Sequence, residues 1–409
     1  MPDKILIIGG GFAGFWAAVA ARRVAGDRAA VTLVSPEPML EIRPRLYEAR
    51  PETLAVDLLP LLGKIDIGFV PGAAVGLDAG SITVTLWAGE RLAYDRLVVA
   101  TGSRMKRPPV QGAEAAFSVD NQAEATLFDA RLAEIAREIA APTIAVVGAG
   151  FTGIELALEL RDRLKAHGAD AAAERARLVL IDRADSVGPE LGSGPRPVIE
   201  MALAAAGVEL RLGAAVRGLA ADRVSFAEGG DLAADAVVLA TGMEAAPFAA
   251  QLPGLRDKLG RVVVDGALKA PGAPDIFVAG DAASADTGDG HSTLQSCQHA
   301  GQLGRVAGEN AARDLLGLPL VPYTQLRYVT CLDLGRSGAV ITEGWERRIE
   351  KTGGEGKAVK RWINTELIYP RADGTAEALL ASSNIDLAAR IARVKDAEAG
   401  RDPVTGKAA

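Results

Sequence analysis

Histidine and cysteine are nearly missing: a chain of 409 residues holds three of the first and two of the second. Cys297 and Cys331 cannot build a disulfide framework, and so few histidines exclude most His-rich metal sites, so no metal centre is expected. Aromatic residues, at 4%, leave little for stacking on bases, and a net charge of -7 gives no general attraction to phosphate backbones or anionic membranes. Nucleic acid is not an expected partner. Uncharged apolar runs of the ~20 residues that cross a membrane are also lacking. The run from Ile5 to Ala21, between Lys4 and Arg22-Arg23, imitates a secretory signal. Gly9, Gly10, Gly11 and Gly14 interrupt it and suit a phosphate-binding turn instead.

Glycine is plentiful, with 46 residues, and part of it follows a pattern that occurs twice. Ile5-Leu6-Ile7-Ile8 runs into Gly9-Gly10-Gly11-Phe12-Ala13-Gly14. At a distance of 139 residues, Ile144-Ala145-Val146-Val147 runs into Gly148-Ala149-Gly150-Phe151-Thr152-Gly153. Each is a G-x-G-x-x-G turn behind an apolar strand. A second motif repeats at a spacing of 140, as Asp95-Arg96-Leu97-Val98-Val99-Ala100-Thr101-Gly102 and Asp235-Ala236-Val237-Val238-Leu239-Ala240-Thr241-Gly242. The chain therefore contains two units of equal length and layout.

Each unit is expected to start with a strand, turn at the glycines and enter a helix, Ala13 to Val24 in the first and Thr152 to Ala166 in the second. The apolar runs Ala30 to Val34 and Leu178 to Ile181 then complete parallel βαβ units with right-handed crossovers. Ser81 to Leu86 and Arg223 to Phe226 read as short antiparallel strands, and Ser103 to Gly112, with its Pro108-Pro109, as a linker. Arg261 to Asp265 and Asp275 to Val278 return the chain to the first unit, and a helix from about Thr293 to Leu316 follows. Tyr328 to Leu334, Ala339 to Ile341 and Trp362 to Tyr369, around the charged stretch Glu346 to Lys360, predict a smaller sheet-containing region. The fold class is α/β, with two Rossmann-like dinucleotide-binding domains and a smaller C-terminal α+β region. The first domain is expected at 1–108 and 255–322, the second at 109–254, and the C-terminal region at 323–409, where Gly400 to Ala409 reads as a frayed tail.

In such a turn the first glycine permits the bend, the second lets the backbone approach a pyrophosphate, and the third lets helix and strand pack closely. Gly9, Gly11 and Gly14 take these places in the first unit, with Phe12 and Ala13 between them; Gly148, Gly150 and Gly153 take them in the second, with Thr152. The phosphate meets free N–H groups and the positive end of the helix. An acid at the end of the next strand, roughly 20 residues on, accepts from a ribose hydroxyl. Asp182 holds that place in the second unit and favours NADH over NADPH, whose 2′-phosphate it repels; Arg183 beside it is the alternative, a partner for that phosphate. In the first unit the place falls to Ser35, with Glu37 as the ribose candidate two residues later. Asp281 ends a buried strand, where it either bonds a ligand hydroxyl or caps a helix.

Together these residues resemble the flavoproteins with two dinucleotide folds, which carry FAD on the first unit and a nicotinamide nucleotide on the second. The resemblance rests on Gly9 to Gly14, Ala100-Thr101-Gly102, Gly148 to Gly153, Ala240-Thr241-Gly242 and Phe277-Val278-Ala279-Gly280-Asp281. It implies that Gly280 and Asp281 meet the ribityl chain of FAD. Within that group the chain is most similar to the type II NADH dehydrogenases, single-subunit NADH:quinone oxidoreductases, through Val147 to Leu156 and Arg43-Pro44-Arg45-Leu46-Tyr47-Glu48. The similarity implies that Arg43 and Pro44 contact the flavin and that Glu155 orients hydride donor and isoalloxazine. It also implies hydride transfer from NADH to FAD, and onward electron transfer to a small-molecule acceptor, a quinone by preference.

The departures from that group are informative. No cysteine precedes Cys297, which excludes the C-x-x-x-x-C chemistry of disulfide reductases. The Q-x-x-x-Q pair of type II dehydrogenases reads Gln295-Ser296-Cys297-Gln298-His299, making Gln295 and His299 the acceptor-site candidates, with His299 as a proton donor. Cys297 and Cys331 are either redox-active near the flavin, as in sulfide-linked relatives, or small buried hydrophobes. Arg347, Arg348, Lys351, Lys357, Lys360 and Arg361 offer a basic docking face for a small iron–sulfur protein, the rival acceptor. Leu387, Ile391 and Val394 form a short stripe that reads as a helix packing on its own domain, in the place of a membrane-contacting segment. A cytoplasmic location is expected, alone or peripheral to the inner face of the cell membrane, and a homodimer is compatible with either.

Overall fold

The computed structural model describes residues 2–370 and 374–385. Two sheets form its centre. The first has the strand order Lys269–Ala270, Ala273–Val278, Arg96–Val99, Asp3–Ile8, Ala29–Ser35, Gly68–Pro71, parallel except at the Lys269–Ala270 edge. The second, all parallel, has the order Phe117–Ser118, Ala236–Leu239, Thr143–Val147, Arg177–Ile181, Val208–Arg211. Their central strands are near-continuous Ile, Val and Leu, buried on both faces, as parallel sheets between helices require. The segment 269–278 closes the first sheet, so the chain does return to its first unit.

The repeat extends to single hydrogen bonds. Gly9 N–H donates to Val34 O at 2.8 Å and Gly148 N–H to Ile181 O at 2.7 Å, while Ala100 N–H to Ile8 O and Ala240 N–H to Val147 O are both 2.8 Å. The aspartate that opens each later motif also has one role: Asp95 accepts from Lys4 N–H and Asp235 from Thr143 N–H, each at 2.7 Å. Each thereby anchors the first strand of its unit. Each unit also carries a three-stranded antiparallel sheet, Ala74–Asp78 with Thr83–Leu86 and Arg91–Ala93, and Val216–Ala220 with Arg223–Phe226 and Asp231–Ala233.

Three expectations need correction. The expected linker contains a strand, Ser103–Met105, which pairs antiparallel with Met243–Ala245, so the two crossings between the units are bonded to each other. The late helix is Cys297–Leu315 and does not begin at Thr293: the Ser296 hydroxyl accepts from His299 N–H and caps it, while Thr293 O accepts from the buried Arg261 guanidinium at 2.5 Å. Trp362 to Tyr369, expected as part of the sheet-containing region, stands outside its sheet. The helix Gly353–Trp362 supplies carbonyls that continue it into a π-helical turn, Ile363–Leu367, and this overrides the strand propensity of the aromatic and β-branched residues.

The helix Cys297–Leu315 is placed by glycines. A Cβ on Gly304 or Gly308 would lie 2.1 Å from Ala13 O or 2.0 Å from Ala17 O, so two helices touch backbone to backbone and the start of the late helix is brought to the first glycine turn. The C-terminal region is a sheet of Val329–Asp333, Ala339–Glu343 and Arg348–Lys351 with the helix Gly353–Trp362. The stripe of Leu387, Ile391 and Val394 and the tail from Gly400 to Ala409 lie outside the described residues. Among the described residues no helix is long and apolar enough to cross a membrane.

Candidate functional site

A cavity of about 3510 Å³ is lined by both units and the C-terminal region. A single small-ligand site occupies roughly 300–1,000 Å³, so this space suits two large ligands together. The glycines show where they fit. A Cβ on Gly9 or Gly148, both at strongly positive φ, would lie 2.2 Å from the carbonyl oxygen of Ala100 or Ala240. At Gly14 and Gly153 it would lie 1.7 and 1.8 Å from the oxygens of Gly9 and Gly148. At Gly11 and Gly150 it would meet no atom within 4 Å, since both face the cavity. The first and third glycines of each turn are thus demanded by the protein itself, and the second opens on the space a pyrophosphate needs. Gly11 and Gly150 are also helix N-caps without a side-chain acceptor, which leaves the first N–H groups to a ligand. These residues fit two dinucleotides.

Of the expected cofactor residues, Phe12, Ala13, Ser35, Glu37, Arg43, Pro44, Ala100, Gly102, Thr152, Asp182, Arg183, Thr241, Gly242, Gly280 and Asp281 line the cavity. Gly9, Gly14, Thr101 and Gly153 stand behind it, and the buried Thr101 hydroxyl has no partner among the described residues. Asp182 fastens the second turn: its two oxygens accept from Ala149 N–H at 2.6 Å and Ala184 N–H at 2.8 Å. Ser35 Oγ stands behind Gly10, 2.7 Å from where a Cβ would be. Asp281 Oδ2 accepts from the Ser103 hydroxyl at 2.7 Å. Burial raises its pKa, and Arg43 and Ser103 draw it partly back. Arg43 itself reaches into the second unit, donating to Asp120 O at 2.8 Å and Asp120 Oδ1 at 2.5 Å.

Glu155 sits in the second turn of the helix Phe151–Ala166 and is buried on the cavity wall. Its Oε1 accepts from Asp333 N–H at 2.8 Å and from Lys360 Nζ at 2.9 Å; Lys360 donates also to Cys331 O at 3.0 Å. Burial pushes the Glu155 pKa up to about 7, although Lys360 and the Asp333 N–H oppose it. Burial pulls Lys360 down, and the Glu155 carboxylate outweighs that pull. Glu159, one turn further on, is pushed to about 7 as well, by burial and by Asp333. Lys360 is the residue of this candidate site that sequence reasoning missed, having counted it in a basic surface. A signal was present: Gly356 and Lys360 are four apart on one helical face, and a Cβ on Gly356 would lie 2.3 Å from Ala339 O, so that face is pressed inward.

Two of the six residues of the expected basic docking face are turned inward, while Arg348 and Arg361 stay exposed. Lys360 is turned to Glu155, Lys357 to Asp333 at 2.6 Å, and Arg347 is buried; Arg348 is paired with Glu350 at 2.8 Å. Gln295 and Cys297 line the cavity, Gln295 donating to Asp281 O at 3.3 Å, and burial pushes the Cys297 thiol up, away from the reactive thiolate. His299 does not belong with them. Its ring is fully buried off the cavity, against Tyr328 at 5.2 Å between centroids, and burial drives its pKa down to about 4, which removes it as a neutral-pH proton donor. The four-residue spacing survives in another place: Gln298 and Gln302 lie on one helical face and both line the cavity.

Two glycine turns opening on one cavity, with a buried acid–lysine pair on its wall, are the arrangement of a protein that holds two dinucleotides side by side. The chain belongs to the pyridine nucleotide-disulphide oxidoreductase family, whose model matches residues 3–304, and it uses a flavin and a pyridine nucleotide. That segment holds a single cysteine, Cys297, and so no disulfide of its own. An NADH dehydrogenase-like protein of Mycobacterium tuberculosis is 42% identical over 390 residues, covering 93% of this chain and 98% of that one. A type II NADH:quinone oxidoreductase of Staphylococcus saprophyticus is 26% identical over 393 residues, covering 90% and 95%. NDH2 of Plasmodium falciparum, solved with NADH, superposes with a TM-score of 0.76 at 13% identity over 94% of this chain and 97% of that one, a likeness of fold.

Proposed function

We propose that the chain is an FAD-dependent NADH:quinone oxidoreductase. The observation that carries this reading is the single cavity that joins the second phosphate turn, the Glu155–Lys360 pair and the glutamine face of the late helix. Residues 1–108 with 255–322 hold FAD, through Gly11, the first helix N-terminus, Arg43 and Asp281; residues 109–254 hold NADH, through Gly150, Thr152 and Asp182. Bound FAD supplies a two-electron relay between hydride donor and acceptor. The relatives named NADH dehydrogenase-like and type II NADH:quinone oxidoreductase support the same donor and acceptor.

The side chains have distinct tasks in this reading. Asp182 holds the second turn in shape and accepts from the adenosine ribose, which selects NADH over NADPH. Glu155, with a proton affinity near neutrality, keeps a proton at the cavity wall, and Lys360 Nζ beside it stabilises the carboxylate left when that proton goes to the reduced acceptor. Gln298 and Gln302, with Gln295, offer amides to the quinone carbonyls. The test is an anaerobic titration of the FAD-loaded protein, first with NADH, then with a soluble quinone. Rapid bleaching of the flavin band by NADH and its return with quinone are expected. Bleaching without reoxidation by quinone would refute the acceptor, and bleaching by NADPH alone would refute the role of Asp182.

A further inference from the structure

Arg347 is 8% exposed and lines the cavity, yet its Nη1 has no hydrogen-bond partner among the described residues. A buried guanidinium without a full set of acceptors is costly unless a ligand completes it. Its position is tightly held. The backbone is left-handed, at φ 55; the guanidinium lies 4.5 Å over the Tyr328 ring; and Nη2 donates to Glu190 O at 3.4 Å. The loop it grips contains Gly194, where a Cβ would come within 3.2 Å of Arg347 O. That loop is in turn fastened to the second phosphate turn, because Gly188 N–H donates to Ala149 O at 2.9 Å.

We propose that Arg347 is the cation that binds the pyrophosphate of the pyridine nucleotide, a contact contributed by the C-terminal region; this deepens the NADH reading above. The chemistry of the turn calls for one. Gly148 to Gly153 contains no charged side chain, and of the cations on the cavity wall Lys360 is paired with Glu155 while Arg183 is exposed to solvent. A doubly charged pyrophosphate is favoured there by the helix N-terminus, and a planar guanidinium matches its oxygens. Arg183 stands at the ribose end, beside Asp182, and is exposed to solvent.

The probe is ADP-ribose, which has the pyrophosphate but no nicotinamide, and its binding to the FAD-loaded protein is measured by calorimetry. R347Q is expected to weaken ADP-ribose about tenfold, with R347K in between, while the KM for quinone stays within about twofold. Wild-type affinity for ADP-ribose is expected to fall as salt rises, more steeply than that of R347Q. Unchanged binding in R347Q, or a rise confined to the quinone KM, would assign Arg347 to the acceptor and overturn the proposal. If R347Q does not fold, the wild-type salt dependence and R347K decide. ADP-ribose binding requires no turnover, so a failure of quinone reduction would sink the functional reading and leave this one standing.

Discussion

Lys360 Nζ lies 2.9 Å from Glu155 Oε1, across 205 residues of sequence, and both side chains are almost fully buried. The pair couples the C-terminal helix to the second unit at the cavity wall. Removing one member of such a pair strands the other. Lys360→Met is therefore expected to destabilise the protein by roughly 3–5 kcal/mol, more at pH 8 than at pH 6, because Glu155 escapes the penalty once protonated. The double variant with Glu155→Gln should recover most of the loss. Denaturant midpoints of both single variants and the double at the two pH values measure this, and a double variant whose loss equals the sum of the two single losses would show that no coupling exists.

The raised carboxylates predict an unusual pH dependence of stability. Glu155 and Glu159 are both pushed to about 7, against 4.5 for a free glutamate. Between those values the folded protein binds more protons than the unfolded chain, so stability should fall as pH rises from about 5 to 7 and level off above. Glu155→Gln should remove part of that slope, and Glu155→Gln with Glu159→Gln most of it. Equal slopes in wild type and double variant would contradict the burial argument. In turnover, acceptor reduction should decline through pH 7 in wild type and Glu159→Gln, and the inflection should vanish in Glu155→Gln.

Much of the fold was legible because the units repeat. The paired glycine turns, the aspartates Asp95 and Asp235, and the apolar strands are local signals whose geometry follows from backbone sterics and hydrogen bonding, and these parts emerged as expected. The misread elements depended on distant partners. The Gly356–Lys360 spacing marks an inward face, but nothing near Lys360 in sequence names Glu155 as its partner, and the cation was counted as surface charge. His299 matched a spacing in the chain, but spacing fixes only relative positions on a helix. Which face turns to the cavity was set by Ser296, whose cap starts the helix at Cys297, and by Gly304 and Gly308, which press it on the first helix.

Paired glycine substitutions separate folding from binding. Gly148→Ala places a methyl 2.2 Å from Ala240 O at a φ of +112, and it should fail to fold or lose several kcal/mol. Gly150→Ala meets no protein atom within 4 Å, so its melting temperature should stay near wild type. Its methyl fills the space next to the second helix N-terminus, and the KM for NADH should rise about tenfold or more with flavin content unchanged. Gly11→Ala should do the converse, losing flavin while keeping the fold. A Gly150→Ala enzyme with an ordinary KM would mean that the nucleotide does not approach this turn.

The late helix offers the last test, since it sets Gln298 and Gln302 against His299. If quinone carbonyls meet the cavity face, Gln298→Leu should raise the quinone KM about tenfold and leave flavin reduction by NADH unchanged, the pattern of a lost acceptor contact. His299 is fully buried, stacked on Tyr328, with Nδ1 3.0 Å from Ser296 Oγ. His299→Gln should therefore cost stability through lost packing and capping, yet leave the quinone KM within about twofold and the pH profile unaltered. The two variants divide the helix cleanly. A raised quinone KM in His299→Gln together with an ordinary one in Gln298→Leu would return the acceptor to the 295–299 face and overturn the assignment made from the cavity.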